Sequence, residues 1–243
     1  MNVQILGDPA VAGKPMAYQR TPYVESKRAE ARERLVQAAV ALVERGGWRE
    51  VQMSVLAGEA GLSTGAVYLH FASKTDLLAE VYRTQAGTEL HVFKLIAEQP
   101  VAAADRLRAG IHAFAQRALK KPRLAYALAL EPTEMEVEEV RLQFHTAFIA
   151  QIKRILDAGV AAGEFGLDDT QVAATCVFGG MVESLMNPPG IAARGSAQLS
   201  PQRSPQAAWV DGVVEFCLRG VGQPRTRPRA TASRTRVTKT RRR

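Results

Sequence analysis

Residues 51–74 read VQMSVLAGEAGLSTGAVYLHFASK, and the polar side chains in the second half of this stretch share one kind of chemistry. Ser63, Thr64, Tyr68, His70 and Lys74 offer hydroxyl, phenol, imidazole and ammonium groups, all of which hydrogen-bond to an oxyanion such as a phosphate. Gly65 and Ala66 lie among them with almost no side chain, so the backbone there can approach a partner surface closely. No reaction follows from this set. Elsewhere His91, His112 and His145 are scattered without the spacing of a zinc site, and neither Cys176 nor Cys217 has a neighbouring histidine. The Asp168-Asp169 pair reads as ordinary helix initiation. The expectation is a protein that is not an enzyme, with no catalytic residues, no metal and no cofactor.

Two short helices must position these groups. Met53, Leu56 and Ala57 mark the buried side of the first, and Gly61-Leu62-Ser63 makes a tight reversal. Ser63 then caps a second helix over residues 64–70. Small residues at Ala57, Ala60 and Gly61 let the two backbones approach, with Leu56, Leu62 and Val67 beneath. This is the form of a helix-turn-helix, whose second helix enters a major groove. Lys74 opens the next helix after Ser73, with Asp76 where a capping box places an acid.

The run Leu56-Ala57-x-x-Ala60-Gly61-Leu62-Ser63-x-Gly65-x-Val67-Tyr68-x-His70-Phe71-x-x-Lys74-x-x-Leu77-Leu78 resembles the DNA-binding segment of the tetracycline-repressor (TetR) family. The resemblance extends upstream through Ala38, Ala39, Leu42, Gly46 and Trp48, covering residues 28–82. It implies that Thr64, Gly65 and Ala66 lie near base edges or the adjoining backbone, with Ser63 at the cap, while Tyr68, His70 and Lys74 hold phosphates. The chain departs from the family where Gln52 opens the first helix of the motif in place of the usual Ser or Thr. That weakens the cap and puts one phosphate contact in question, and Gln52 is still counted with the DNA-binding residues.

The chain has 243 residues, 47% of them apolar, enough for one large or two modest cores. Its net charge of +8 is uneven: residues 225–243 hold eight arginines and Lys239 with no acid, which leaves the remainder at −1. This tail, residues 223–243, reads as disordered and as a source of non-specific phosphate attraction, or simply as a solubilising terminus. Residues 1–24 read as a flexible arm. By the resemblance, Lys14 and Arg20 within it, and Lys27 and Arg28 just beyond it, are candidates for reaching DNA, with a solvated leader as the other reading of the first two. The two cysteines read as buried free thiols. No secretory signal or membrane-length apolar run is evident, so a cytoplasmic location without membrane contact is expected.

Beyond the motif the periodicity is helical throughout. Helices are expected from Glu25 to the Gly46-Gly47 stop, then over residues 74–98, 106–119, 122–130, 132–162, 168–186 and 206–218, with a long loop at 187–205. Gly87 is expected to bend or loosen the 74–98 helix. The expected fold is all-α: an amino-terminal three-helix DNA-binding domain with the helix-turn-helix (residues 25–73), then a larger helical effector-binding and dimerisation domain (residues 74–222).

The resemblance further implies a two-fold homodimer, paired through the last two helices, on double-stranded operator DNA. Val172, Phe178, Met181, Leu185, Trp209, Val213 and Phe216 are the candidate interface residues. It also implies a ligand cavity among the later helices. Candidate linings are Phe93, Phe114, Tyr126, Leu130, Phe144, Phe148 and Phe178, with Glu131, Arg141 and His145 as polar candidates. Such a lining suits a small apolar or aromatic effector. Glu131 lies beside a helix-opening proline, so it either serves that helix end or a salt bridge, or orients a ligand's polar group. The implied function is a ligand-responsive homodimeric repressor on a roughly palindromic operator. An activator, a ligand-independent regulator, and an interaction module keeping the motif as structure all stay open.

Overall fold

A computed structural model describes residues 22–186 and 205–222. The expected arm before residue 22, most of the expected loop (187–204) and the basic tail from residue 223 lie outside the described residues. Among the described residues there are nine α-helices and one short 3-10 turn, with no helix long and apolar enough to cross a membrane.

Helix α1 (Pro22–Gly46) starts three residues ahead of the expected Glu25. Proline suits a first helical position, where its fixed φ fits and its missing N–H costs nothing. A 3-10 turn (Trp48–Glu50) leads into α2 (Met53–Glu59) and α3 (Thr64–Tyr68). Gln52 is the N-cap residue of α2 and makes no side-chain cap bond, whereas Ser63 Oγ accepts from the Ala66 N–H at 3.2 Å. Between the helices, Leu62 N–H donates to Ala57 O (2.9 Å) and Gly61 N–H to Gly58 O (3.1 Å), with Gly61 at φ 65°. This double closure needs the left-handed backbone that glycine adopts without a Cβ clash. Helix α3 stops at Tyr68 instead of the expected His70. There the Leu69 and His70 N–H groups bond to Ala66 O and Val67 O, three residues back, which tightens the last turn.

Helix α4 (Lys74–Ala97) is capped by Ser73, whose Oγ accepts from Asp76 N–H at 3.0 Å. It runs without interruption through Gly87. The remaining helices are α5 (Ala103–Lys120), α6 (Pro122–Ala129), α7 (Met135–Ala161), α8 (Thr170–Met186) and α9 (Pro205–Gly220). Helix α7 opens at Met135 instead of Pro132, because Glu134 holds an extended backbone. Two caps come from acids. Asp169 Oδ1 accepts from the Gln171 and Val172 N–H groups at the head of α8 (2.8 and 3.0 Å). Glu164 reaches across sixty residues of chain to accept from Ala103 and Ala104 at the head of α5 (3.0 and 3.1 Å), where Ala102 has no side chain to do so.

The apolar interior falls into two clusters. One joins α1, α2, α3 and the first half of α4 to Leu124 and Ala127 of α6 and Val137 and Val140 of α7. The other is built from the rest of α4 with α5, the second half of α7, α8 and α9. The core of the head therefore continues past residue 73, where sequence reading put the domain edge, and takes α6 as its seat.

Helices α8 and α9 pack on each other and on α5 and α7. Phe178, Met181, Leu185 and Val213, expected on a dimer face, are buried inside the chain, because they lie on the inward faces of these helices. Trp209 is half-buried, its indole N–H donating to Ser184 O at 2.8 Å. Val172 and Phe216 do project outward, at 58% and 73% exposure. Cys217 is buried as expected, but Cys176 is exposed, sharing the outer side of α8 with Val172 one turn away.

Candidate DNA interface and effector cavity

Helix α3 turns Val67 and, just beyond it, Phe71 into the core. The opposite side is left to Ser63, Thr64, Gly65 and Tyr68, all exposed, with Ala66 partly so. Nothing lies within 4 Å of a Cβ built on Gly65, so the first turn of α3 is open to a partner. Tyr68 shows 52% of its surface. Gln52 is exposed on the approach to α2, and Lys74 is half-exposed at the start of α4. The motif thus places these candidates on the outer side of one small head.

His70 is different. Its ring is half-buried beside Arg28 and Arg32, and its Nδ1 is buried without a hydrogen-bond partner among the described residues. Burial first, then the two guanidinium fields, lowers its pKa below 6.5, so the ring is neutral near pH 7. The two arginines fix the exit of α3. Arg28 donates to Leu69 O (3.1 Å), and Arg32 bonds Glu80 of α4 (2.7 Å) while stacking over Phe71 at 4.7 Å. Lys27, near Arg28, pairs with Glu30, while Lys14 and Arg20 lie outside the described residues. Sequence reading missed Leu69, which is 73% exposed beside Tyr68. An apolar side chain between the inward Val67 and Phe71 was its available signal.

A cavity of about 340 Å³ opens among α4, α5, α6, α7 and α8. Phe114, Phe144, His145, Phe148 and Phe178 line it, as the sequence reading expected. Tyr82, Ala86, Leu124 and Leu128 complete much of its apolar wall. The other five candidates do not line it. Phe93 is packed in the core against Phe148 and over Gly110, whose built Cβ would meet its ring at 2.8 Å. Tyr126 lies under the Arg123 guanidinium at 5.5 Å, and Leu130 packs against the second core. His145 meets Phe178 edge-on at 5.0 Å, and burial, followed by Arg141, lowers its pKa below 6.5.

Glu131 and Arg141 instead hold the seam between head and body. The Glu131 carboxylate pairs with Arg123 (2.8 Å), and Arg123 Nη2 donates to Gly46 O at the end of α1 (2.9 Å). Gly47, at φ 87°, has no room for a Cβ, which would lie 1.7 Å from Arg123. Arg141 is only 7% exposed and donates to Ala127 O (3.1 Å), Glu131 O (2.6 Å) and the Glu138 carboxylate (2.9 Å). The buried Trp48 indole donates to the same Ala127 carbonyl at 2.9 Å. Lys121, at the joint of α5 and α6, bonds Glu44 of α1. One short helix, α6, is therefore both a wall of the cavity and the platform of the head.

Comparison with known proteins follows the same division. Residues 35–81 match the family model described as bacterial regulatory proteins, tetR family. A fatty acid metabolism regulator protein of Bacillus subtilis is 24% identical over 155 residues, which is 62% of this chain and 79% of that protein. The structure of a transcriptional regulator, FadR from Bacillus subtilis in complex with stearoyl-CoA, superposes with a TM-score of 0.64. It is 20% identical, over 78% of this chain and 98% of that one. A bacterial regulatory protein in the tetR family from Rhodococcus RHA1 gives a TM-score of 0.63 at 22% identity, over 80% and 98%. Residues 35–81 thus carry the helix-turn-helix segment of the tetR family, and the helices beyond them follow the fold of these regulators.

Proposed function

We propose that the protein is a ligand-responsive homodimeric repressor. Two copies present their α3 helices to successive major grooves of a roughly palindromic operator, about 34–36 Å apart. Thr64, Gly65 and Ala66 stand at the base edges, Tyr68 and Lys74 hold phosphates, and Gln52, Ser63 and His70 flank them. The domain division is a reading head at residues 25–73 on an effector and dimerisation body at 74–222. The partner helices meet on the outer side of α8 and α9, where Val172 and Phe216 are exposed.

The observation that carries the ligand response is the double role of α6. Leu124 and Leu128 line the cavity, while the carbonyl of Ala127 receives Trp48 and Arg141 at the head's seat. An occupant that moves α6 must move the head or break those bonds, so ligand and DNA prefer different arrangements. An apolar lining of this size falls at the lower end of small-molecule sites, about 300–1,000 Å³. The likeness to a regulator holding stearoyl-CoA supports an effector with an apolar chain.

Fluorescence anisotropy on the DNA upstream of the protein's own gene, against scrambled duplex across a salt series, tests the reading. Selective binding saturating at one or two dimers per duplex supports it. Equal, steeply salt-dependent binding to both duplexes counts against a local operator.

A further inference from the structure

We infer that the cavity takes an amphipathic anion, an apolar chain ending in a carboxylate or phosphate, and that this anion competes with Glu44 for Lys121. The inference rests on the cavity being the effector site, and it adds a charge to the apolar ligand that its walls alone suggest.

The cavity has a polarity axis. Its deep wall is aromatic: Phe148 lies between Phe114 (6.0 Å, edge-on) and Phe178 (5.9 Å, stacked). Its formal charges are Arg117, Lys120 and Lys121 against Glu89 alone. Arg117 has its charge paired with Glu89, whose two carboxylate oxygens share the Arg117 Nε–H at 2.7 and 2.6 Å. That leaves two lysines. Both are exposed, which places them at the rim, and Lys120 makes no ion pair among the described residues. A chain that buries its apolar end among the phenylalanines leaves its head beside these ammonium groups, which favours an anion over a neutral or cationic head.

Lys121 carries the regulatory half. It is the single residue between α5 and α6, and its ammonium bonds the Glu44 carboxylate on the last turns of α1. The pair is exposed enough for an anion to reach: the two side chains keep 53% and 33% of their surface. An ammonium can serve two carboxylates, but each weakens the other's hold on it. A ligand head at Lys121 thus loosens a direct tie between the head and the cavity wall, and by linkage Glu44 weakens the ligand.

Isothermal titration calorimetry of the full chain at low salt tests this with decanoate, decanoyl-CoA and decanol. The expectation is that decanoate or its thioester binds at least about five-fold tighter than decanol. The better of the two assigns the head to carboxylate or phosphate. Glu44→Gln should then tighten the preferred anion about three-fold and leave decanol unchanged, while Lys121→Gln should erase most of the anion's advantage. Both substituted residues are at least partly exposed, and circular dichroism verifies folding of each variant. Equal binding of anions and decanol overturns the charged-head inference while leaving the cavity reading intact. A preferred anion indifferent to Glu44→Gln overturns the competition. No binding by any of the three overturns the cavity reading, and the inference with it.

Discussion

Tyr68 shows half of its surface on the outer side of α3, and its hydroxyl is the sharpest residue-level test of the DNA face. Tyr68→Phe should weaken operator binding by about 1 kcal/mol, roughly five-fold, and keep the ranking of operator variants, since a phosphate contact carries no sequence information. Unchanged affinity in anisotropy titrations would assign the phenol no phosphate. The two inward-leaning histidines give a pH signature. Burial lowers both imidazoles, with Arg28 and Arg32 adding to it at His70 and Arg141 at His145, where Glu138 opposes weakly. A folded pKa below the unfolded 6.5 means the unfolded chain binds more protons as the solution acidifies. Their stability is complete above 6.5 and is lost as pH falls through the lower folded values. The melting temperature should therefore fall from about pH 7 toward pH 5, and less steeply in His145→Gln. Parallel slopes would show that His145 is not a source. Periodicity found Phe114, Phe144, Phe148 and Phe178 because they lie on inward helix faces, and His145 was named beside them only as a polar group on the helix after Glu131. Periodicity had no means of separating them from Phe93, whose ring is spent on Gly110, or from Arg141, whose carbonyl partners are set by the α6–α7 connection.

At the scale of elements, the local signals were legible and the remote ones were not. Ser63, Gly61 and Ser73 announce a cap, a reversal and a second cap within four residues of the groups they serve, so the helix-turn-helix could be drawn from sequence alone. Helix α5 has no such signal. Its start was expected three residues late, at Arg106, because the acid that satisfies its first N–H groups is Glu164, in the turn between α7 and α8. That bond also pins the first turn of a cavity-lining helix to the far end of α7. Glu164→Ala should cost about 1 kcal/mol of stability, as loss of an N-cap does. The fraying should be local. Hydrogen exchange should rise at residues 103–106 while the amides of α3 stay protected as before. A uniform increase across the chain would mean the cap serves the whole fold and not one helix end.

For the whole molecule, the pairing of two copies decides whether one reading head or two meet the operator. The family resemblance assigned that surface to the last two helices and apolar content picked its residues, but a single chain already buries most of them, Met181, Leu185 and Val213 included. What remains outward on α8 and α9 is sparse and distinctive. Val172, Cys176 and Gly179 follow one another at helical spacing on α8, while Gly212 and Phe216 do so on α9. No atom lies within 4 Å of a Cβ built on either glycine, so a partner helix could come close at these points and receive Phe216, which is 73% exposed. Exposure makes Phe216 a clean probe, because Phe216→Arg removes nothing from the folded monomer's core. Light scattering behind size-exclusion chromatography should show wild-type dimers and Phe216→Arg monomers with matching circular dichroism. Operator affinity should drop with the dimer, since two half-sites bound by independent monomers lose the effective concentration that pairing supplies. Binding to a single half-site should change little, because α3 is untouched. A Phe216→Arg protein that stays dimeric would move the interface off this face of α9 and onto another surface of the body.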